Sequence, residues 1–251
     1  MIEMTKHQRL PGLRKDEGYT VHPFDEAYGV RTSGLIAGRH LRAGHKHDRD
    51  ITAYFGVAPS VFRKLLAKWR RGGSRAPMEK YCFVDVGAGM GRAMLLAGEM
   101  GFREVVGVEL NPVLARIARK NLLRWSVDGR LLARQRMKLI EGDATEIKLP
   151  AGPLVLFLFN PFEARVMKRF LRALEEQRVG NSAPVELLYV NREQEAVLEG
   201  RKRWVRFYLG EVARTKTDAI ADHRIMAAQP DGEYTSGNFE ECSGWRLVPA
   251  K

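Results

Sequence analysis

The chain has 251 residues, a length that suits one α/β domain with room for a terminal extension. Hydrophobic residues make up 45% and charged residues 29%, which excludes global disorder and allows a real core. The formal net charge is +12, and +8 of it falls in the first 80 residues (16 basic against 8 acidic), so that third is expected to attract polyanions such as RNA, or acidic protein surfaces, weakly.

The longest clean apolar run, Leu154 to Phe159, is far short of the roughly 20 residues that cross a bilayer, so no membrane association is expected. Met1 to Leu10 lacks the apolar stretch of a secretory signal. Cys82 and Cys242 stand far apart with no cysteine neighbour, which suggests neither a disulfide framework nor a zinc site. A reducing, cytoplasmic compartment is the expectation.

Residues 1–57 are expected to form an N-terminal extension, partly irregular, and residues 58–251 the main domain. Glycine and proline punctuate residues 1–50, and hydrophobic periodicity there is weak. His45 and His47 have acidic neighbours but no third ligand to join them, so a solvated charged loop is expected rather than a metal site. Ala58 to Arg71 reads as a helix: Pro59 suits its first turn, and Val61, Phe62, Leu65, Leu66 and Trp69 recur at helical spacing. Gly72 and Gly73 end it.

Strands and helices then alternate. The pattern predicts a strand at Tyr81–Val86, a helix at Arg92–Met100, a strand at Glu104–Glu109 and a helix at Pro112–Trp125. It continues with strands at Lys138–Glu141 and Leu154–Phe159, a helix at Ala164–Gln177, a strand at Val185–Val190 and a short helix at Glu193–Leu198. Two closing strands are expected at Trp204–Leu209 and Arg224–Ala228, then a polar loop over Asp231–Ser243 and a last short strand at Trp245–Val248. Repeated βα units imply a mostly parallel sheet with helices on both faces.

Four strand ends carry chemistry. Val84-Asp85-Val86-Gly87-Ala88-Gly89-Met90-Gly91-Arg92 closes a strand and opens a helix, with glycines that let a ligand approach the backbone. Its spacing is GxGxG rather than the GxGxxG of a dinucleotide site, and Asp85 precedes it. A carboxylate beside such a loop favours a cationic ligand. Glu109, with Leu110 beside it, ends the next strand, 18 residues past Gly91, where a carboxylate can accept both hydroxyls of a ribose. Asp143 and Ala144 follow the third strand and can meet an adenine amine; a turn cap is the plainer reading. Asn160-Pro161-Phe162 ends the fourth, where the Asn160 side-chain oxygen can accept from an N–H nucleophile and Phe162 can pack on the acceptor.

Asp85 with its loop, Glu109, Asp143 and Asn160, each at a successive strand end, resemble the class I S-adenosylmethionine-dependent methyltransferases, and more narrowly a bacterial group of them. The resemblance covers roughly Tyr81 to Val190 and more loosely runs from Ala58. It implies a Rossmann-like α/β fold: a seven-stranded, mostly parallel sheet, helices on both faces and an antiparallel last strand. It implies S-adenosylmethionine as cofactor, no metal, and residues 58–251 as the methyltransferase domain. Asp85, Gly87, Gly89 and Gly91 would hold the methionine part, Glu109 the ribose and Asp143 the adenine, with Ala88, Leu110, Ala144 and Asn160 completing the contacts. The Asn-Pro-Phe turn looks like a shortened Asn-Pro-Pro-aromatic motif of nitrogen methyltransferases acting on amides or base amino groups. The second proline is missing and the aromatic sits one position early. Tyr54 and Phe55, just before the first long helix, suit either a lid over the cofactor or a core anchor.

The implied activity is methyl transfer to a nitrogen on a protein, nucleic acid or small molecule, with Asn160, Pro161 and Phe162 at the acceptor. The alternatives are a non-catalytic cofactor-binding or scaffold protein on the same fold, and a nicotinamide-dependent oxidoreductase.

Overall fold

The computed structural model describes residues 19–125, 135–229 and 234–249. The first 18 residues of the expected extension, and residues 231–233 of the expected polar loop, lie outside them. Before the main sheet come a short helix α1 (Pro23–Tyr28) and a two-stranded ribbon of β1 (Leu35–Ile36) and β2 (Tyr54–Phe55). Helix α2 (Pro59–Lys68) follows and ends in one wider π turn, Trp69–Gly73. The alternating part comprises β3 (Cys82–Val86), α3 (Arg92–Gly98), β4 (Glu104–Glu109), α4 (Pro112–Trp125), β5 (Met137–Glu141), β6 (Leu154–Phe159), α5 (Ala164–Gln177), β7 (Val185–Val190) and the short α6 (Glu195–Glu199). It closes with β8 (Trp204–Ala213), α7 (Lys216–Ala227) and β9 (Phe239–Leu247).

The main sheet has seven strands in the order β5-β4-β3-β6-β7-β9-β8. β5, β4, β3, β6 and β7 are mutually parallel, and β9, the last in sequence, runs antiparallel between β7 and β8. The chain builds outward from β3 through β4 to β5, then returns across β3 to lay down β6. That reversal leaves a crevice beyond the carboxyl ends of β3 and β6.

The central strands β3, β4, β6 and β7 are buried on both faces because helices cover both. On one face, Phe83, Val155, Phe157 and Leu188 join α2, α3 and the end of α4. On the other, Val84, Leu156, Leu158 and Leu187 join Val166, Met167, Phe170 and Leu171 of α5. An edge-to-face chain of rings, Phe62 on Phe157 at 5.2 Å and Trp69 on Tyr81 at 5.1 Å, anchors α2 to the sheet.

Two expectations are corrected at the carboxyl-terminal end. Arg224–Ala228 is not a strand; it is the last turn and end of α7. Thr215 caps that helix by accepting the Asp218 N–H, and the buried face is Asp218, Ala221, Asp222 and Ile225. Two carboxylates on the inward stripe conceal the helix from any reading of apolar spacing. They are buried because Arg214 pairs with Asp222 at 3.0 Å and Asp218 accepts the Ser60 N–H at 2.7 Å. The polar loop is also shorter than expected, since β9 begins at Phe239 and pairs Glu240 and Glu241 with Val212 and Glu211.

Residues 19–57 are more ordered than their composition suggests. In α1 the His22 imidazole accepts the Phe24 N–H and Pro23 opens the first turn. Asn121 of α4 binds both the N–H and the carbonyl of Arg31, at 2.9 and 2.7 Å. Asn111 donates to the Leu41 carbonyl at 2.8 Å. The segment thus lies across the carboxyl edge of the sheet. No described helix is long and apolar enough to cross a membrane.

Candidate functional site

A cleft with about 970 Å³ of empty space opens at that edge, between the ends of β3, β4, β5 and β6 and the overlying segment 41–57. Asp85, Gly87, Ala88, Gly89, Glu109, Leu110, Asp143, Ala144, Pro161 and Phe162, expected from sequence, all line it. Gly91 and Asn160 do not.

The loop after β3 is built on backbone contacts that only glycine permits. The N–H groups of Gly87 and Ala88 both donate to the Val108 carbonyl at 2.9 Å, tying the loop to β4. Gly87 has φ +76° and Gly89 φ +55°, in the left-handed region. A Cβ on Gly87 would come within 2.5 Å of Pro161, and one on Gly89 within 2.3 Å of the Tyr54 ring. Gly91 has φ +89° and caps α3, which explains its place in the motif without direct exposure to the cleft.

Glu109 accepts from the Gly89 N–H and the Asn111 N–H, each at 2.7 Å, so its carboxylate is held rigidly beside the loop. Asp85 is buried, and its Oδ2 has no hydrogen-bond partner among the described residues. Burial, then repulsion by Glu109, pushes the Asp85 carboxyl up to about 8. Burial also raises Glu109, to about 7, against the pull of its backbone donors. Asp143 is buried as well; one oxygen accepts the Thr145 N–H at 2.8 Å, and Oδ2 accepts no hydrogen bond among the described residues, though the Lys46 ammonium lies 3.9 Å from it. In sheet order these carboxylates stand at adjacent strand ends, Asp143 after β5, Glu109 on β4 and Asp85 on β3. Unpartnered buried carboxylate oxygens cost free energy unless a donor arrives.

Within residues 42–49, His47 alone departs from the expected solvated loop; the others are exposed or half-buried. It is 3% exposed, lines the cleft, and places Nε2 3.3 Å from Asp143 Oδ2. Burial depresses its pKa, so the ring is held neutral. His45 remains partly exposed, 3.8 Å from the same oxygen.

Arg92 is a residue the sequence reading passed over. It is buried at the start of α3, lines the cleft and donates to Thr32 Oγ1 at 2.7 Å and the Gly56 carbonyl at 3.1 Å. Asp25 sits beyond it, accepting from the backbone of Thr32 and Ser33. A lone arginine at the head of an otherwise apolar helix was the available signal. Tyr54 is anchored beside the loop: its hydroxyl donates to the Thr32 carbonyl at 2.6 Å, and its ring covers Gly89 and lines the cleft. Phe55 also lines the cleft.

Asn160 has φ +41°, and its side chain is spent on the turn. Oδ1 accepts from the Tyr189 hydroxyl at 2.9 Å, and its backbone carbonyl accepts from the Thr52 hydroxyl. The oxygen expected to meet an acceptor already takes one hydrogen bond, from Tyr189, itself fixed by the Gln194 N–H, and Asn160 is not among the residues lining the cleft. Pro161 and Phe162 reach the cleft instead. Ile51 bridges Phe162, and the Asp50 carbonyl accepts the Glu163 N–H at 2.9 Å, so the overlying segment is fastened to this turn.

No protein-family model and no curated protein matches the chain. Solved structures do. A Klebsiella pneumoniae protein provisionally assigned as an O-methyltransferase is 14% identical, with TM-score 0.50 over 77% of this chain and 82% of its own. An RNA methyltransferase from Salinibacter ruber, in complex with S-adenosyl-L-homocysteine, is 19% identical with TM-score 0.44, over 76% and 92%. Magnesium protoporphyrin IX methyltransferase from Synechocystis PCC 6803, with bound SAM, is 12% identical with TM-score 0.46, over 75% and 77%. The first of these likenesses shows the fold: with its antiparallel last strand inserted beside β7, the chain has the Rossmann-like fold of the class I S-adenosylmethionine-dependent methyltransferases.

Proposed function

We propose that the protein is an S-adenosylmethionine-dependent methyltransferase that uses this cleft to methylate a nitrogen acceptor. The observation that carries the reading is the row of buried carboxylates at three adjacent strand ends, two with an oxygen that accepts no hydrogen bond among the described residues, beside a loop of glycines at positive φ. The donor set of the cofactor suits them: an ammonium and a sulfonium for Asp85, ribose hydroxyls for Glu109, an adenine amine for Asp143. A dinucleotide pyrophosphate suits them poorly, because it would bring negative charge onto Asp85 and Glu109.

When bound, S-adenosylmethionine supplies an electrophilic methyl group on sulfur. The chain's own residues position and desolvate. Tyr54 and Phe55 close one side of the cleft; Pro161 and Phe162 wall the mouth. Asn160 acts at one remove, holding that wall through Tyr189 and Thr52. The preference for nitrogen rests on the Asn-Pro-Phe turn at the mouth.

Calorimetry with S-adenosylmethionine and S-adenosylhomocysteine tests the reading, together with incubation of the labelled donor and a cell extract. Binding of both, and label entering protein, nucleic acid or small molecules, is expected. Absence of binding refutes the cofactor assignment. Binding with no transfer to any fraction leaves the non-catalytic alternative.

A further inference from the structure

Building on the methyltransferase reading, we propose that the acceptor is carried on a nucleic-acid strand whose sugar–phosphate backbone lies on a basic track running from the cleft mouth along α5. Arg165, Lys168, Arg169 and Arg172 are exposed and spaced at positions 0, 3, 4 and 7, which puts them on one face of the helix. The opposite face is the buried set Val166, Met167, Phe170, Leu171 and Leu174. Like charges at this spacing repel and disfavour the helix, so the track is not explained by stability.

Arg165 is paired with Asp50. Lys168, Arg169 and Arg172 have no hydrogen-bond or ion-pair partner among the described residues. Segment 42–49, lying over the cleft, adds exposed Arg42, Lys46 and Arg49; Lys46 is paired with Glu146, and Arg42 and Arg49 are unpaired among the described residues. The one carboxylate within residues 42–49, Asp48, is turned into its own loop, accepting the N–H groups of Ala43, Gly44 and His45. The two elements form one surface: Asp50 joins Arg165, and the Arg169 charge is felt at His47 inside the cleft. The charge near the mouth is therefore not confined to the first third of the chain, where composition placed most of it.

What selects a nucleic acid over an acidic polypeptide is the wall the track leads to. Phe55, Phe159, Pro161 and Phe162 line the cleft. A flat base drawn out of a strand can stack on such surfaces while its phosphates sit on cations. An acidic peptide would use the cations alone. Arg165 to Arg172 spans about 10 Å, about three nucleotides at 3.4 Å each.

The test is fluorescence polarisation with mixed-sequence 20-nucleotide single-stranded RNA and DNA, titrated in salt, with polyglutamate as competitor. With five free cations engaged, log K should fall against log salt with a slope of about −3.5. The variant Lys168→Gln/Arg169→Gln/Arg172→Gln should weaken strand binding at least tenfold and bring the slope to about −1.4. Its S-adenosylmethionine binding heat should match wild type, which also reports that it folds. Methyl label should enter one of the two strands, and which one identifies the source. Absent strand binding, an unchanged slope in the variant, or equal displacement by polyglutamate each overturns the proposal. Strand binding that fails while cofactor binding persists sinks this inference alone; failure of wild-type cofactor binding sinks the methyltransferase reading instead.

Discussion

Lowering the pH should loosen the cofactor site, and the buried carboxylate pair sets by how much. Asp85 and Glu109 are raised to about 8 and about 7, chiefly by burial, so at pH 5.5 both are protonated and at pH 7.5 the pair has begun to ionise. A cationic ligand needs the anionic form. If one proton leaves per ligand bound, affinity rises about tenfold per pH unit, or about 100-fold from pH 5.5 to 7.5, equivalent to about 2.7 kcal/mol. The ligand's own ammonium stays largely charged across that window, since an α-amino group titrates at about 7.7–8.0.

Stability moves the other way. A carboxyl raised in the folded state favours folding below its unfolded value and loses that contribution as pH rises through the folded value. This pair therefore makes the ligand-free protein less stable between about pH 5 and 8, and the thermal shift caused by cofactor should grow over the same range. Calorimetry in buffers of different ionisation enthalpy measures the released proton directly. Asp85→Asn should flatten most of the dependence. Affinity that stays constant from pH 5.5 to 7.5, or tightens toward acid, would refute the assignment of this pair to a cation.

Gly89→Ala should destabilise the protein by about 2–4 kcal/mol in denaturant unfolding, because it combines a left-handed φ with a Cβ driven into the anchored Tyr54 ring. Gly142→Ala is its control: nothing lies within 4 Å of that Cβ, and the expected change is under about 1 kcal/mol. Tyr54→Phe strips the Thr32 carbonyl of its buried donor and should cost about 1–3 kcal/mol; an unchanged midpoint would show that carbonyl to be satisfied otherwise. Asn160→Ala loses the Tyr189 bond and strains a φ of +41°, for about 2–3 kcal/mol. Asn160→Gly should recover the backbone part alone, and equal stability of the two variants would contradict that division.

Much of the frame could be read locally. α4, α5, β4, β6 and β7 have the bounds their apolar spacing predicts, and the loop after β3 with Glu109 at the end of β4 was recognisable from residue type and interval. α7 was not, because its inward stripe includes Asp218 and Asp222, made buriable by the Ser60 N–H and by Arg214. His47 sits in a run of charged residues that looks solvated until Asp143 and the cleft are placed against it. Asn160 was correctly marked as unusual, but its direction depends on a tyrosine 29 residues away.

The amino-acid order by itself determined where the strands, the long helices and the glycine turn lie, since backbone propensity and apolar period act over a few residues. The partners of buried polar groups were decided only by the folded chain. Whether a carboxylate is free for a ligand, as at Asp85, or an amide is already spent, as at Asn160, depends on donors and acceptors brought from distant segments, and desolvation makes every such match count.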